Sequence, residues 1–395
     1  MSKAAWVFFL LFTGAKAFSQ DSVWMARTTG KYPHMEFGIG EDRLGGAKIG
    51  FLDSNILIRI VDSFRANYKV QLSKYHTAYV PKTSVTLLFK QANRSVPHNP
   101  HLTGNMKVYG DSAYDYVDIR LDERLPYHGM QMIDPSRVAI DIFGVTSNTN
   151  WITQVQTTRE IKNTWYEQIE DDVFRIYIEL KHPQHWGYYL SYDSGATKFN
   201  IRIRRQPAVL DIKRMRIAID PGHGGTNIGA NGVTDTSVLE KNYTLLIATE
   251  LQKALKRAGV KHTFMTRVKD TTLSMPERLD MLRDFNPNLL VSVHLNSTAS
   301  DTISGVSTYY RYIGFRPLSM AILHQMLTLG LKEYGNVGNF NFSLSGPTDY
   351  PNALVEVAFL SNPADEKKIL SPKFRRQVAQ KIYLGIMDWL KQCRP

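Results

Sequence analysis

Cysteine is nearly absent from this chain of 395 residues, and the single cysteine is Cys393, close to the C-terminus. One cysteine cannot close an intrachain disulfide, and Cys393 lies too far from the N-terminus to be a lipid-attachment site. A zinc site built on thiolates would need cysteine partners that the sequence does not contain. Any bound metal must therefore be held by nitrogen and oxygen atoms.

Long apolar runs are also scarce. The stretch Ala4–Gly14 follows the basic Lys3 and is shorter than the roughly 20 residues that a membrane-spanning helix needs. The small-x-small sequence Ala15–Ala17 comes next, as at a signal-peptidase site. We predict that residues 1–17 are a signal peptide and that the mature protein is exported to the periplasm or cell wall without a transmembrane segment. A retained amphipathic anchor or a buried first element is the alternative.

Acidic residues are fewer than basic ones, which gives a formal net charge of +12. A basic exported protein is attracted to acidic polymers outside the cytoplasm. Nucleic acid could use the same charge, but the chain has no nucleic-acid-binding motif and the predicted export argues against such a partner. A solvated basic face without a specific partner is the alternative.

The N-terminal half is rich in short runs that alternate apolar and polar residues, the pattern of β-strands with one buried face. In a first block, residues 23–95, such runs are separated by glycines, which favours a small antiparallel barrel or sandwich. A linker follows at Val96–Pro100, and a second β-rich block covers residues 105–205. In the second block, the histidines of His182-Pro-Gln-His185 could be proposed as metal ligands, but the proline and the lack of a third ligand favour a surface turn.

The third block, residues 213–395, alternates strands and helices, which predicts an α/β sheet covered by helices. The predicted elements are a strand at Arg216–Asp220, a helix at Glu240–Ala258, a strand at Val260–Met265, a helix at Met275–Phe285, a strand at Asn288–Leu295, a helix near Leu318–Tyr334, a strand at Ala353–Leu360 and a helix at Pro372–Gln392. The predicted fold is therefore multidomain, with two N-terminal all-β domains and a C-terminal α/β domain.

Polar residues of the third block fall where ligands gather in α/β folds, at the carboxyl ends of strands. His223 follows one strand within a glycine-rich turn, His294 closes another, and Glu356 interrupts an apolar strand, where a carboxylate is costly to bury without a partner. Two histidines and a carboxylate form a catalytic zinc ligand set that leaves a position for water. On spacing alone, Glu240 is equally a ligand or an ordinary first-turn glutamate favoured by the helix dipole.

The third block resembles the zinc-dependent N-acetylmuramoyl-L-alanine amidases along its whole length. The matching motifs, in family order, are DPGHGG (Asp220–Gly225), GANG (Gly229–Gly232), LEKN (Leu239–Asn242), FMTR (Phe264–Arg267) with Asp270 and Arg278, SVHLNS (Ser292–Ser297), GVSTYY (Gly305–Tyr310) and LVEVAFLSN (Leu354–Asn362). The resemblance implies that His223, Glu240 and His294 bind Zn²⁺. It also implies that Glu356 is the catalytic acid/base.

The same resemblance implies the substrate, which is peptidoglycan. The bond cut would be the amide between the lactyl group of N-acetylmuramic acid and the L-alanine of the stem peptide. In the first block, the stretch Tyr68–Leu88 resembles the closing half of bacterial Src-homology-like barrels. The second block resembles the AMIN-type β-domains that hold some amidases on the wall or on envelope partners. A cell-envelope partner is thus implied for the β-blocks, which we expect to be dispensable for the chemistry.

Two departures from the family pattern concern access to the site. Only Ile313–Pro317 separates the GVSTYY strand from the next helix, which is too short for the occluding helix that some relatives insert there. The segment Glu333–Gly346 also differs from the family's usual stretch, which puts substrate contacts there in doubt. The competing hypotheses are a zinc hydrolase that cuts within the stem peptide and a binding protein whose catalytic centre is inactive.

Overall fold

The structure is a computed structural model, and it describes residues 23–40, 45–91 and 101–394. The predicted signal peptide at residues 1–17 and the predicted linker at residues 96–100 lie outside these described ranges. None of the helices in the described part of the chain combines the length and apolar character that crossing a bilayer requires.

The first block forms one antiparallel sheet with strand order β3-β2-β6-β5-β4-β1-β7. Its strands are β1 (Val23–Thr28), β2 (His34–Glu36), β3 (Lys48–Phe51), β4 (Leu57–Phe64), β5 (Asn67–Gln71), β6 (Thr77–Pro81) and β7 (Val85–Gln91). In β4, Ile58 and Ile60 are buried on one face, as the alternating pattern predicts.

The second block contains two sheets, ordered β10-β11-β15-β14 and β12-β8-β9-β17-β16, with β13 paired to β8. Its strands are β8 (His101–Gly110), β9 (Tyr114–Leu121), β10 (Tyr127–Ile133), β11 (Ser136–Phe143), β12 (Val145–Thr146), β13 (Ile152–Gln154), β14 (Ile161–Glu170), β15 (Val173–Leu180), β16 (Tyr188–Tyr192) and β17 (Lys198–Arg204). The predicted β-rich character of the N-terminal half is confirmed. The barrel and AMIN-type assignments, and the domain boundaries, stay predictions.

Buried apolar side chains of the two β-blocks form one continuous cluster. Ile58 and Val70 of the first block belong to the same cluster as Ile140, Phe174 and Ile201 of the second. The blocks are therefore packed on each other, since burial of this apolar surface opposes their separation.

The third block is a sheet of order β19-β18-β20-β23-β21-β22, in which β21 runs antiparallel to β23 and the other neighbours are parallel. Its elements are β18 (Arg216–Pro221), α1 (Glu240–Arg257), β19 (His262–Met265), α2 (Met275–Phe285), β20 (Leu289–Asn296), β21 (Val306–Tyr309), α3 (Arg316–Leu327), β22 (Glu333–Val337), β23 (Asn352–Phe359), α4 (Pro363–Leu370) and α5 (Pro372–Gln392). The predicted α/β class of this block is confirmed.

One predicted element is wrong over part of its length. The helix expected near Leu318–Tyr334 ends at Leu327, and Glu333 and Tyr334 belong instead to the strand β22. Gly330 adopts a φ of 72°, a left-handed conformation that glycine tolerates and that does not continue an α-helix. The short helix α4 was not predicted; Asn362 caps its start and Pro363 is its first residue.

Helices cover both faces of this sheet. On one face, residues of α1, α3 and α5 pack on alternate strand residues such as Ile217 and Val291. On the other face, Ala218 and Leu290 pack with α2, and Tyr32 and Phe51 of the first block join the same cluster. The first β-block therefore completes the packing of the third block beside the predicted site.

Candidate metal centre

His223 lies in a tight turn after β18. Its own φ is 62°, and Gly224 and Gly225 also have positive φ, at 135° and 56°. A non-glycine residue in the left-handed region costs on the order of 1–3 kcal/mol and persists only where surrounding contacts fix it. The His223 Nδ1 atom lies 2.9 Å from Asn227 Oδ1, an acceptor that selects the tautomer with its proton on Nδ1. Loss of the Nε2 proton, which metal binding requires, would leave a lone pair directed toward Glu240.

Glu240 is the first residue of α1 and is almost fully buried. Its Oε2 accepts a hydrogen bond from Ala230 N at 2.8 Å, and its Oε1 accepts one from Leu295 N at 3.0 Å. Gly229 lacks a side chain where a Cβ would overlap this carboxylate, which gives the GANG motif a physical role. The helix start thus directs the glutamate inward, over the strand ends.

His294 completes a cluster of three side chains. Glu240 Oε1 lies 3.1 Å from His223 Nε2 and 3.1 Å from His294 Nδ1. Each residue offers a ligand atom, and these atoms all lie within 4.8 Å of one another. The imidazole of His294 occupies the space that a Cβ on Gly222 would fill. Within the described part of the chain, His294 Nε2 is buried without a hydrogen-bond partner.

The charges of the cluster depend on one another through Glu240. Burial alone would raise the pKa of Glu240, but the hydrogen bonds and charges of His223 and His294 hold it well below its usual value. Burial alone would lower the pKa of His223, but its hydrogen bond to Glu240 outweighs this and raises it. An ionised carboxylate between two imidazoles is a nitrogen and oxygen donor set that suits Zn²⁺.

Glu356 projects from β23 beside this cluster. It pairs in register with His294 on β20 and with Ser307 on β21. Its Oε2 is buried and has no hydrogen-bond partner among the described residues. Burial, and then the negative charge of Glu240, raise the pKa of Glu356 well above its usual value. A dication bound at the cluster would oppose the second of these effects.

Two arginines hold the turn that carries His223. Arg278 forms a buried ion pair with Asp220 and donates to the carbonyls of Pro221 and His223. Arg267 donates to the carbonyl of Pro221 at 3.1 Å and to that of Gly222 at 2.9 Å. These charge-assisted bonds fix the backbone of the strained turn.

The structure brings His223, Glu240, His294 and Glu356 together, and their roles as ligands and acid/base stay predictions. His182 and His185 do not join them. His182 is partly exposed and pairs with Glu160, whereas His185 is buried, with its Nε2 2.9 Å from Met132 O, so the expected surface turn is wrong for His185.

Sequence reasoning missed the aromatic residues around the site. Phe342 packs edge-on against His294, with ring centroids 5.1 Å apart, and Phe340 packs on Tyr309. The unusual composition of Glu333–Gly346 was the available signal.

The histidine and glutamate cluster lies at the carboxyl ends of the strands, where ligands bind in α/β sheets, and its donor set is one that catalytic zinc sites use. Within the chain, residues 217–388 match the family model described as N-acetylmuramoyl-L-alanine amidase. The predicted resemblance of the third block is therefore confirmed over these residues.

Relatives match up to half of the chain. A probable cell wall amidase LytH of Staphylococcus epidermidis is 32% identical over 196 residues, which are 50% of this chain and 64% of that protein. The Staphylococcus aureus protein of the same description is 32% identical over 170 residues, which are 43% of this chain and 56% of that protein. The chain thus spans less than two thirds of the length of these relatives. A crystal structure of N-acetylmuramoyl-L-alanine amidase from Clostridium difficile 630 has a TM-score of 0.43 and 29% identity, covering 45% of this chain and 98% of that one.

Proposed function

We propose that this protein is a zinc-dependent amidase that hydrolyses peptidoglycan at the amide between the lactyl group of N-acetylmuramic acid and the L-alanine of the stem peptide. The observation that carries the proposal is the cluster of His223, Glu240 and His294, with Glu356 beside it, inside the segment that matches the amidase family model. The relatives described as probable cell wall amidases support the same substrate.

His223, Glu240 and His294 would hold the zinc ion. Their donor atoms are of the types that Zn²⁺ binds, and the separations of 3.1 Å from Glu240 Oε1 to His223 Nε2 and to His294 Nδ1 support the fit. When bound, zinc supplies Lewis-acid chemistry that polarises a carbonyl and acidifies water. The hydrogen bond from His223 to Asn227 keeps one imidazole oriented for this role.

Glu356 would move the protons of the reaction. Its carboxylate takes a proton from the attacking water and passes a proton to the amine that leaves as the amide C–N bond breaks. Burial favours the protonated carboxyl, so the group can hold that proton between the two steps. The products are a glycan strand and a free stem peptide.

Export and attachment to the wall belong to the same proposal. The predicted signal peptide would deliver the enzyme to the periplasm or cell wall, and the β-blocks would hold it on peptidoglycan or on an envelope partner. The net positive charge supports attraction to an acidic polymer.

Mass spectrometry of peptidoglycan digested by the purified protein tests the activity. The proposal expects free stem peptides with an L-alanine amino terminus, and it expects a chelator to abolish their release. New amino termini inside the stem peptide would instead support a zinc peptidase, and intact peptidoglycan in the presence of zinc would support an inactive binding protein.

A further inference from the structure

A row of aromatic rings runs along one side of the candidate metal centre. Tyr309 and Phe340 have ring centroids 4.4 Å apart, Phe340 and Phe342 are 6.3 Å apart, and Phe342 and His294 are 5.1 Å apart. Tyr309 is buried, and its hydroxyl lies 3.3 Å from Ser307 Oγ. Ser307 is the residue of β21 that pairs with Glu356 on β23. The row therefore begins beside Glu356 and ends at His294.

Phe340 and Phe342 form the accessible part of this row, and we call these two residues the aromatic platform. Both are partly exposed, and their rings lie within 20° of parallel. Their side chains carry no hydrogen-bonding group, so the platform offers an apolar aromatic surface. Polar groups of the neighbouring site would orient a ligand that rests on it.

The first β-block holds the platform in place. The side chain of Asn341, between the two phenylalanines, accepts a hydrogen bond from Lys48 N at 3.2 Å and donates one to Gly46 O at 2.9 Å. After the platform, a Cβ on Gly346 would overlap the ring of Phe51, so first-block residues contact the segment on both sides of Phe342. These contacts fix the two rings relative to His294.

We propose that the aromatic platform of Phe340 and Phe342 binds the sugar ring of the N-acetylmuramic acid whose amide is cleaved, with Asn341 as its positioning residue. This inference rests on the proposed function, because it places the sugar beside the scissile amide. The C–H face of a pyranose is apolar and suits contact with an aromatic ring, whereas the lactyl methyl and the alanine side chain are much smaller. The platform does not change the reaction that is catalysed; it determines which substrates bind.

Kinetics on two soluble substrates test the platform. One is a muramoyl peptide, and the other is a matched N-lactoyl peptide that lacks the sugar. Phe340→Ala should raise KM for the muramoyl peptide by about tenfold, the loss expected for a well-packed aromatic contact, with kcat nearly unchanged. KM for the N-lactoyl peptide should not change. Phe340→Tyr should restore the wild-type KM because it keeps the ring.

Asn341→Ala tests the link to the first β-block. We expect it to raise KM for the muramoyl peptide as Phe340→Ala does, with zinc content and kcat retained. Lys31→Ala is the matched control, since it removes an exposed ion pair with Asp280 at the same block interface without touching the platform. The control should keep the wild-type KM.

Several outcomes would overturn the inference. An equal rise of KM for both substrates would show that the platform contacts the peptide, and no change for either would remove it from the binding site. Calorimetric titration with the peptide-free disaccharide of N-acetylglucosamine and N-acetylmuramic acid separates the two proposals. If the protein hydrolysed neither substrate but bound this disaccharide in a Phe340-dependent way, the proposed function would fail and the platform would stand. If Phe340→Ala left the affinity for the disaccharide unchanged, the proposed role of the platform in sugar binding would be wrong.

Discussion

Glu356 lies directly opposite His294 on the neighbouring parallel strand, and the two residues are paired in register. The pairing shifts only after His294, between that residue and Asn296. Because side chains alternate between the faces of a strand, a slip of one residue would turn Glu356 to the opposite face. The register of β20 and β23 therefore fixes the separation between a proposed ligand and the proposed base.

Glu356→Gln tests the proposed base. The amide cannot accept the proton from water, so we expect kcat to fall by roughly 10²–10⁴-fold while the fold and the zinc content are kept. Turnover of a soluble muropeptide, zinc analysis and the melting temperature are the measurements. Glu333→Gln is the control, since it removes an exposed carboxylate from β22 of the same sheet. A Glu356→Gln enzyme with near wild-type turnover would reduce Glu356 to a structural residue.

His294→Ala tests the metal centre by a measurement that needs no substrate. Removing one of the proposed protein ligands should strongly weaken zinc binding, so the protein after dialysis should contain much less than one zinc per chain. His262→Ala, at an exposed histidine on β19, should retain the metal. Equal zinc content in the two variants would mean that the ion lies elsewhere.

The predictable part of this fold depended on local signals. The glycines next to His223 indicate the tight turn directly in the sequence. For α2, Ser274 forms a capping box at the N-terminus, and Asn286 caps the C-terminus in a left-handed conformation. Such features are encoded within a few residues, and the limits predicted for α2, Met275 and Phe285, agree with the structure.

The parts that could not be predicted depend on contacts between distant residues. Spacing alone left the role of Glu240 open, because only the folded loop shows Ala230 N directing its carboxylate inward. The aromatic platform depends on Asn341 meeting Gly46 and Lys48 across almost 300 positions of sequence, as their separations of 295 and 293 show. No periodic pattern encodes such a contact.

Asp220→Asn tests the buried ion pair beneath the turn of His223. Both side chains are about 2% exposed, and the substitution would leave the charge of Arg278 buried and unpaired. We expect the free energy of unfolding to fall by about 3–5 kcal/mol, measured as a lower urea midpoint. Lys253→Met removes an exposed ion pair with Glu250 and should cost less than about 1 kcal/mol.

The pH dependence of that variant has a definite sign. Burial would raise the pKa of Asp220, but Arg278 and the hydroxyls of Thr266 and Ser292 outweigh it and lower the pKa. The ion pair therefore stabilises the fold above the unfolded-state pKa of about 3.9 and loses this effect as the pH falls through the lower folded-state pKa. The stability difference between wild type and Asp220→Asn should shrink in strong acid. A difference that did not change with pH would mean that the loss comes from packing rather than from charge.

The last prediction concerns the dependence of the third block on the β-blocks. From the sequence, we predict that a fragment beginning near Lys213 cleaves small soluble muropeptides about as well as the mature chain. The structure argues against this, because Trp186 packs on Trp389 with ring centroids 5.1 Å apart and Asn341 depends on the first block.

We therefore expect the fragment to bind zinc but to show a KM for soluble muropeptide about tenfold higher than that of the full chain, as when a positioning contact is lost. Circular dichroism first establishes that the fragment is folded, and sedimentation with insoluble wall material measures attachment separately. Equal KM values with weaker sedimentation would restore the prediction made from the sequence, in which the β-blocks only attach the enzyme. If the full chain were inactive and the fragment active, the β-blocks would cover the site. The link between β21 and α3, from Tyr310 to Phe315, is too short to hold an occluding helix within the third block itself.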